Sequence, residues 1–252
     1  MKHFATLALL GLLAACGGGG YGSGMTVTNA SPGGIWTGTD SISGLAVVGL
    51  VDEAGEFHFI RTDGVQYVGQ AMVSGNTVSA NFDGYTPFGS TFPDNSTHGM
   101  GTLSGTVQER SSLSGNTMFV TDANSTSNGT ISLTFNALYN SGSSFSAIAG
   151  NYTDPATGDT VSVSSAGVIF SQDATTGCVV NGNVSIINAA YDAYAVSYTY
   201  GNCIGTAAVL NGVQFSGLGT LDINTNPVQA IIGVNGKSGA VSYAVVLTLN
   251  HQ

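Results

Sequence analysis

The stretch Gly34-Ile35-Trp36-Thr37 returns later in the chain, changed but in step, as Gly150-Asn151-Tyr152-Thr153. Two further markers keep the same order. Ala54-Gly55 before Phe57 matches Ala166-Gly167 before Ile169, and Val73-Ser74-Gly75-Asn76 matches Val180-Asn181-Gly182-Asn183. The second half therefore reads as a diverged copy of the first, although glycine-rich strands also resemble one another by composition alone. Each half carries about eight short strand signals separated by turn residues. In the first half they run from Ile35-Trp36-Thr37 through Glu56–Arg61 and Thr77–Phe82 to Thr130–Leu138; in the second, from Ala149–Thr153 through Cys178–Ile187 and Tyr194–Asn202 to Ala240–Leu249. Asp63-Gly64 and Gly75-Asn76 are hairpin signals. After Cys16 no stretch shows helical periodicity. The expected fold is all-β: two tandem antiparallel up-and-down barrels of about eight strands each, at 34–145 and 146–252. The pattern leaves one larger barrel open as the alternative.

Composition agrees. Charged residues are 7% and hydrophobic ones 42%, which excludes disorder by self-repulsion, and 37 glycines favour tight turns. The net charge is −10. Beyond the first few residues the only basic side chains are Arg61, Arg110 and Lys237. Nucleic acid needs a basic footprint, so that partner is excluded, and charge-driven binding to anionic lipid is disfavoured. So few lysines cannot guard many strand edges, and closure into barrels removes the edges instead. The strands are shorter than those of membrane-spanning barrels.

The N-terminus has secretory-signal grammar: Lys2, an apolar run from Phe4 to Leu13, then small residues. That run is too short to span a bilayer. Leu13-Ala14-Ala15-Cys16, followed by Gly17-Gly18-Gly19-Gly20, resembles the lipobox of bacterial lipoproteins. The resemblance implies a signal peptide at 1–15, lipidation of Cys16, and a tether at 16–33. Gly17 and Gly18, rather than Asp, after the cysteine imply the outer membrane. The alternative is an ordinary signal peptide with a chance cysteine.

The opening Gly34-Ile35-Trp36-Thr37-Gly38 and the meanders after it resemble lipocalin-like barrels. The tandem arrangement resembles the surface lipoproteins that bind transferrin or complement factor H. These likenesses imply a fold, and no binding motif of those families is matched.

No catalytic constellation is present. There is no Gly-x-Ser-x-Gly and no His-Glu-x-x-His, and His58, His98 and His251 stand apart. His58 is expected on the polar face of its strand or inside a barrel. Asp122, Asn124, Thr126 and Asn128 have the spacing of a calcium loop, but Leu133 stands where the bidentate Glu belongs. No metal and no cofactor is expected. Two groups remain as candidate partner-binding residues. One is a long irregular stretch, Asp83–Gly99, with Tyr85, Phe88, Phe92 and His98; the alternative is that its aromatics plug a barrel. The other is Tyr194, Tyr198 and Tyr200 on one strand face, with Tyr191 nearby; the alternative is core packing.

Cys178 and Cys203 are an even pair in an oxidising compartment, which predicts a disulfide worth about 3 kcal/mol. With the cysteines opposite, Val184 would face Ser197 and Ile186 would face Ala195. The small residues Ala195, Ser197, Thr199 and Gly201 would then line the interior, and the tyrosines would face away. A bulge would exchange the faces.

These features point to a non-enzymatic, lipid-anchored envelope protein with a macromolecular partner, one form of which is an inhibitor or immunity protein. The alternative is a carrier of a small apolar ligand. A wide apolar lumen favours the carrier; a filled lumen with an exposed patch near Phe88 and Phe92 favours the protein partner.

Overall fold

The computed structural model describes residues 28–238 and 241–252. The expected lipobox, Cys16 and most of the tether lie outside the described residues. Two closed eight-stranded antiparallel barrels follow one another along the chain. The first contains β1 (Gly34–Asp40), β2 (Ala46–Val51), β3 (Glu56–Arg61), β4 (Gln66–Ser74), β5 (Thr77–Tyr85), β6 (His98–Gln108), β7 (Ser112–Thr121) and β8 (Thr126–Asn136). It closes where β8 pairs with β1, with Phe135 opposite Trp36. A 3₁₀ turn (Ala137–Ser141) and the one-turn helix α1 (Phe145–Ile148) lead into the second barrel. That barrel contains β9 (Gly150–Thr153), β10 (Thr160–Val163), β11 (Val168–Gln172), β12 (Val179–Ile186), β13 (Tyr194–Gly201), β14 (Gln214–Asp222), β15 (Gln229–Ser238) and β16 (Val241–His251). Its seam is short: Asn250 and His251 of β16 pair with Thr153 and Tyr152 of β9.

The first repeat marker opens the first strand of each barrel, and the second forms the turn before each third strand. A further equivalence is chemical. Trp36 Nε1 donates to the carbonyl of Pro32 at 2.9 Å, and Tyr152 Oη donates to that of Ile148 at 2.8 Å, each four residues upstream. Each ring is buried and plugs the end at which the chain enters its barrel. The third marker does not hold. Gly75 turns a hairpin with φ 59°, whereas Gly182 sits within β12 opposite Tyr198.

The first barrel is filled. Its inward positions pair aromatic rings with glycines across the strands: Phe59 opposite Gly49, Phe57 opposite Gly69, and Phe82 opposite both Gly69 and Gly101. A Cβ on Gly101 would lie 2.2 Å from the Phe82 ring. The missing side chains make room for the rings, and the remaining void is only about 30 Å³. That is roughly the volume of one water molecule in the liquid.

The second barrel packs differently, because its β12–β13 register is one residue from the expected one. Val184 faces Val196, and Ile186 faces Tyr194. The cysteines lie beyond the last ladder pair, Val179–Gly201, where Asn202 turns the chain with φ 59°. They therefore bond without being opposite within the ladder. The one-residue shift exchanges the faces, and Tyr194, Val196, Tyr198 and Tyr200 point inward.

The barrels lie side by side, β2 and β3 of the first against β14 and β15 of the second. Gly217 and Gly233 allow the close approach: a Cβ on Gly217 would lie 2.7 Å from the His58 ring, and one on Gly233 would lie 3.0 Å from Ile60. His58 therefore points out of its barrel and is fully buried between the two. Its Nδ1 meets Gln66 Oε1 at 3.3 Å, while Nε2 has no hydrogen-bond partner among the described residues. At one edge of the contact Arg110 pairs with Glu53 at 2.8 Å and lies over the rings of Tyr139 and Tyr191, 4.8 and 4.4 Å from their centroids. At the other, Pro87 bridges to Ala244. Residue 28 and the connecting segment thus share one end of the pair, called the lower end here.

Candidate ligand-binding site

The second barrel encloses an apolar cavity of about 260 Å³. Above the Tyr152 ring at its floor, the aromatics that line it stand on one wall. On β13 and β14, Tyr198 stacks on Phe215 with centroids 5.3 Å apart, and Tyr200 stands edge-on to both. The strands β10, β11 and β12 contribute Val161, Val163, Ile169, Val180 and Val184, which are too short to fill the lumen. Ile148 and Tyr152 form the floor at the lower end. Burial raises the Tyr152 hydroxyl to about 12, so it stays protonated and holds its bond to Ile148.

The cavity opens at the upper end, between three loops. Asp154 and Asp159 come from the β9–β10 loop and Asp173 from the β11–β12 loop. The β13–β14 loop contains a 3₁₀ segment, Gly205–Leu210, which sets Ala207 and Leu210 over the lumen. The disulfide Cys178–Cys203 fastens this segment to β12, with Cα atoms 4.0 Å apart. Asn211 adds a second fastening, since its amide donates to the Cys203 carbonyl at 2.9 Å and its Oδ1 accepts from the Cys203 N–H at 2.7 Å.

One polar atom in this wall stands out. Tyr198 is 5% exposed, and its hydroxyl, shut off from the lumen, has only the Tyr200 hydroxyl beside it, beyond the distance of a well-formed hydrogen bond. Burial pushes its acidity far out of the physiological range. Tyr200 is raised as well, first by burial, against a hydroxyl interaction with Tyr198 that lowers it, and then by the carboxylates of Asp159 and Asp173. Tyr200 thus links the buried wall to the acidic mouth. Asp173 is lowered, first by the Thr176 hydroxyl that donates to it. Among the described residues, none of the three mouth aspartates has an ion-pair partner.

The other expected site residues do not form one surface. β5 and β6 extend into the stretch read as irregular, leaving Thr86–Thr97 as the loop. Tyr85 is buried, and Phe92 enters the top of the first barrel against Phe119, 5.2 Å between centroids. Phe88 alone is exposed, at 71%, and it leans toward Tyr243 of the second barrel. His98 bridges Asp83 and Asp122 at 3.0 Å each, so Asp122 of the calcium-like spacing holds a histidine. Tyr194 is fully buried, and its hydroxyl accepts from the Ser144 N–H at 3.1 Å. Tyr191 stacks on Tyr139, 5.0 Å apart, under Arg110.

Sequence reading missed Asp192, a carboxylate buried between the barrels. It accepts from the Thr220 hydroxyl at 2.7 Å and the Leu221 N–H at 3.2 Å. Burial raises it to about 6, well above its unfolded value. The native state therefore binds its proton more tightly than the unfolded chain. The stabilisation is complete below the unfolded value near 3.8 and is lost as pH rises through about 6. That amounts to about 2 kcal/mol between pH 4 and pH 6. Between pH 4 and pH 6 the stability of the parent, measured by urea unfolding, should fall by that much more than the stability of Asp192→Asn. Parallel profiles would show that Asp192 does not titrate this way.

No protein-family profile matches the chain, and no curated protein matches it.

Proposed function

We propose that this protein is a non-enzymatic, lipid-anchored binding protein of the outer membrane whose second barrel holds a small apolar ligand. The observation that carries this reading is the contrast between two barrels of one design, the first filled and the second with about 260 Å³ of apolar space. A cavity of ~150 Å³ lined by aliphatic and aromatic side chains already admits benzene. This one lies just below the ~300–1,000 Å³ of drug-sized sites. The filled lumen of the first barrel suits a structural role. The case for a macromolecular partner weakens, because Phe92 is withdrawn into the core and Phe88 is a single exposed ring of a kind common on surfaces.

The orientation fits anchoring. Residue 28 enters at the lower end, whereas the cavity opens at the upper end. A lipid on Cys16 would therefore join the body at the end opposite the mouth. Two measurements test the reading. Calorimetry with octan-1-ol should show binding with a negative heat-capacity change, the mark of apolar burial. Val180→Phe, which puts a ring into the lumen, should abolish it at little cost in melting temperature. Unchanged binding by that variant would place the alcohol elsewhere. Fractionation of cells expressing Cys16→Ser should release the protein from the membrane, and retention as firm as the parent's would refute the anchor.

A further inference from the structure

The two barrels close unequally. In the first, β1 runs to Asp40 and makes six ladder pairs with β8. In the second, β9 stops at Thr153, and only Tyr152 and Thr153 pair with β16. The cause is local. Counted from the opening glycine of each barrel, Pro155 stands where Thr39 does, and proline has no N–H to give a ladder. The chain turns back at once: the Asp154 N–H donates to the Asp159 carbonyl at 2.9 Å, and the Asp154 carboxylate accepts from the Ala156 N–H at 2.8 Å. β16 continues upward from Leu249 to Val241 without β9 beside it. Its backbone groups alternate between the two sides. The His251 N–H donates toward β15, to Val228, and the Gln252 N–H toward β9, to Asn151. By that alternation Ala244, Val246 and Thr248 present N–H and C=O to the seam. Ala244 is bridged there by Pro87 of the first barrel. Val246 and Thr248 have no backbone partner on that side among the described residues. A slot about 20 Å long therefore runs down the wall from Ala244 to Asn250.

The cavity reaches both lips of this slot: Leu247 and Leu249 line it from β16, and Asp154 and Asp159 from the β9–β10 turn. Resting on the reading of the second barrel as a binding cavity, we propose that its apolar ligand enters and leaves sideways, through this slot, rather than through the upper mouth past the Gly205–Leu210 lid. Passage elsewhere through the wall breaks a ladder, at roughly 1 kcal/mol for each backbone hydrogen bond. Passage at the top moves a lid held by the disulfide and by Asn211. At the slot only side chains have to move. The first barrel supplies the slot's upper edge. Pro87 is backed by Gly64, where a Cβ would lie 2.7 Å from the proline ring, and the Thr86 N–H donates to the Thr97 carbonyl at 3.0 Å. Phe88 leans on Tyr243 just above. The filled barrel thus has a part in the route, because its loop fixes where the slot ends.

The test is to obstruct each route in turn, in the full chain with Cys16→Ser so that a label meets a single thiol. Thr248→Cys and Pro155→Cys place that thiol on either lip of the slot, and Val209→Cys places it on the lid; all three parent side chains are exposed. Each variant is alkylated with fluorescein maleimide, and its melting temperature is compared with the parent's. Exchange of 8-fluorooctan-1-ol is then followed by fluorine NMR. The label on Thr248→Cys or Pro155→Cys should slow binding and release alike, about tenfold each, and leave affinity within about twofold, because a barrier raised on the route acts in both directions. The label on Val209→Cys should change neither rate. Slowing by the Val209→Cys label and by neither lip label overturns the slot, puts the route at the upper mouth and leaves the cavity reading standing. Unchanged exchange in all three variants overturns the slot as well. Failure of 8-fluorooctan-1-ol to bind the unlabelled parent overturns both readings.

Discussion

Replacing Trp36 by alanine is expected to cost about 4 kcal/mol of stability, in the upper range for a large buried side chain. Trp36 is the single tryptophan of the chain and is fully buried at the lower end of the first barrel. Its ring stands edge-on to Phe135, 5.6 Å between centroids, and its Nε1 satisfies the Pro32 carbonyl at 2.9 Å. The alanine variant loses both and leaves a hole in a barrel with almost no other void. Relaxation into that hole is limited, because the neighbouring rings are seated against glycines whose backbone cannot follow. Trp36→Phe keeps much of the packing but not the donor, and should fall between parent and alanine. Urea unfolding followed by circular dichroism measures all three. A cost below about 1 kcal/mol for alanine would mean that the ring does not hold the barrel closed.

The same residue shows how far the fold could be read in advance. An aromatic at the third position of Gly34-Ile35-Trp36 and of Gly150-Asn151-Tyr152 marks the first strand of each barrel, because that position faces inward at the entry end. Strand alternation and turn glycines did the rest, since both are local. What was not legible depends on many strands at once. Whether a barrel is full or hollow is set by which side chains meet across it, and a register change of one residue on β12–β13 reverses that set. The cysteines invited the wrong register because they were assumed to be opposite, whereas they lie past the ladder in a turn. Phe88 and Phe92 were equivalent on paper, but a loop has no period to tell an inward ring from an outward one. Asp192 gave no signal at all. Its burial comes from the docking of two barrels, and that docking rests on Gly217 and Gly233, which read as ordinary strand glycines.

Removing the disulfide should lower both stability and ligand affinity. Cys178 and Cys203 are 25 residues apart, and a bond closing a loop of that size contributes about 3 kcal/mol by restricting the unfolded chain. The bond also acts locally in the native state. It fixes the start of the segment that carries Ala207 and Leu210 over the lumen, so its loss frees part of the wall of the mouth. The Asn211 clip to Cys203 remains, and with it some of the lid's order. The double variant Cys178→Ser, Cys203→Ser should therefore still fold, unfold at lower urea, and bind octan-1-ol less tightly. Adding Asn211→Ala should reduce affinity further while changing global stability less than the loss of the disulfide does. The two readouts separate the two roles. If the double variant loses stability but binds octan-1-ol as tightly as the parent, the bond is a chain restraint only, and the segment over the lumen does not depend on it.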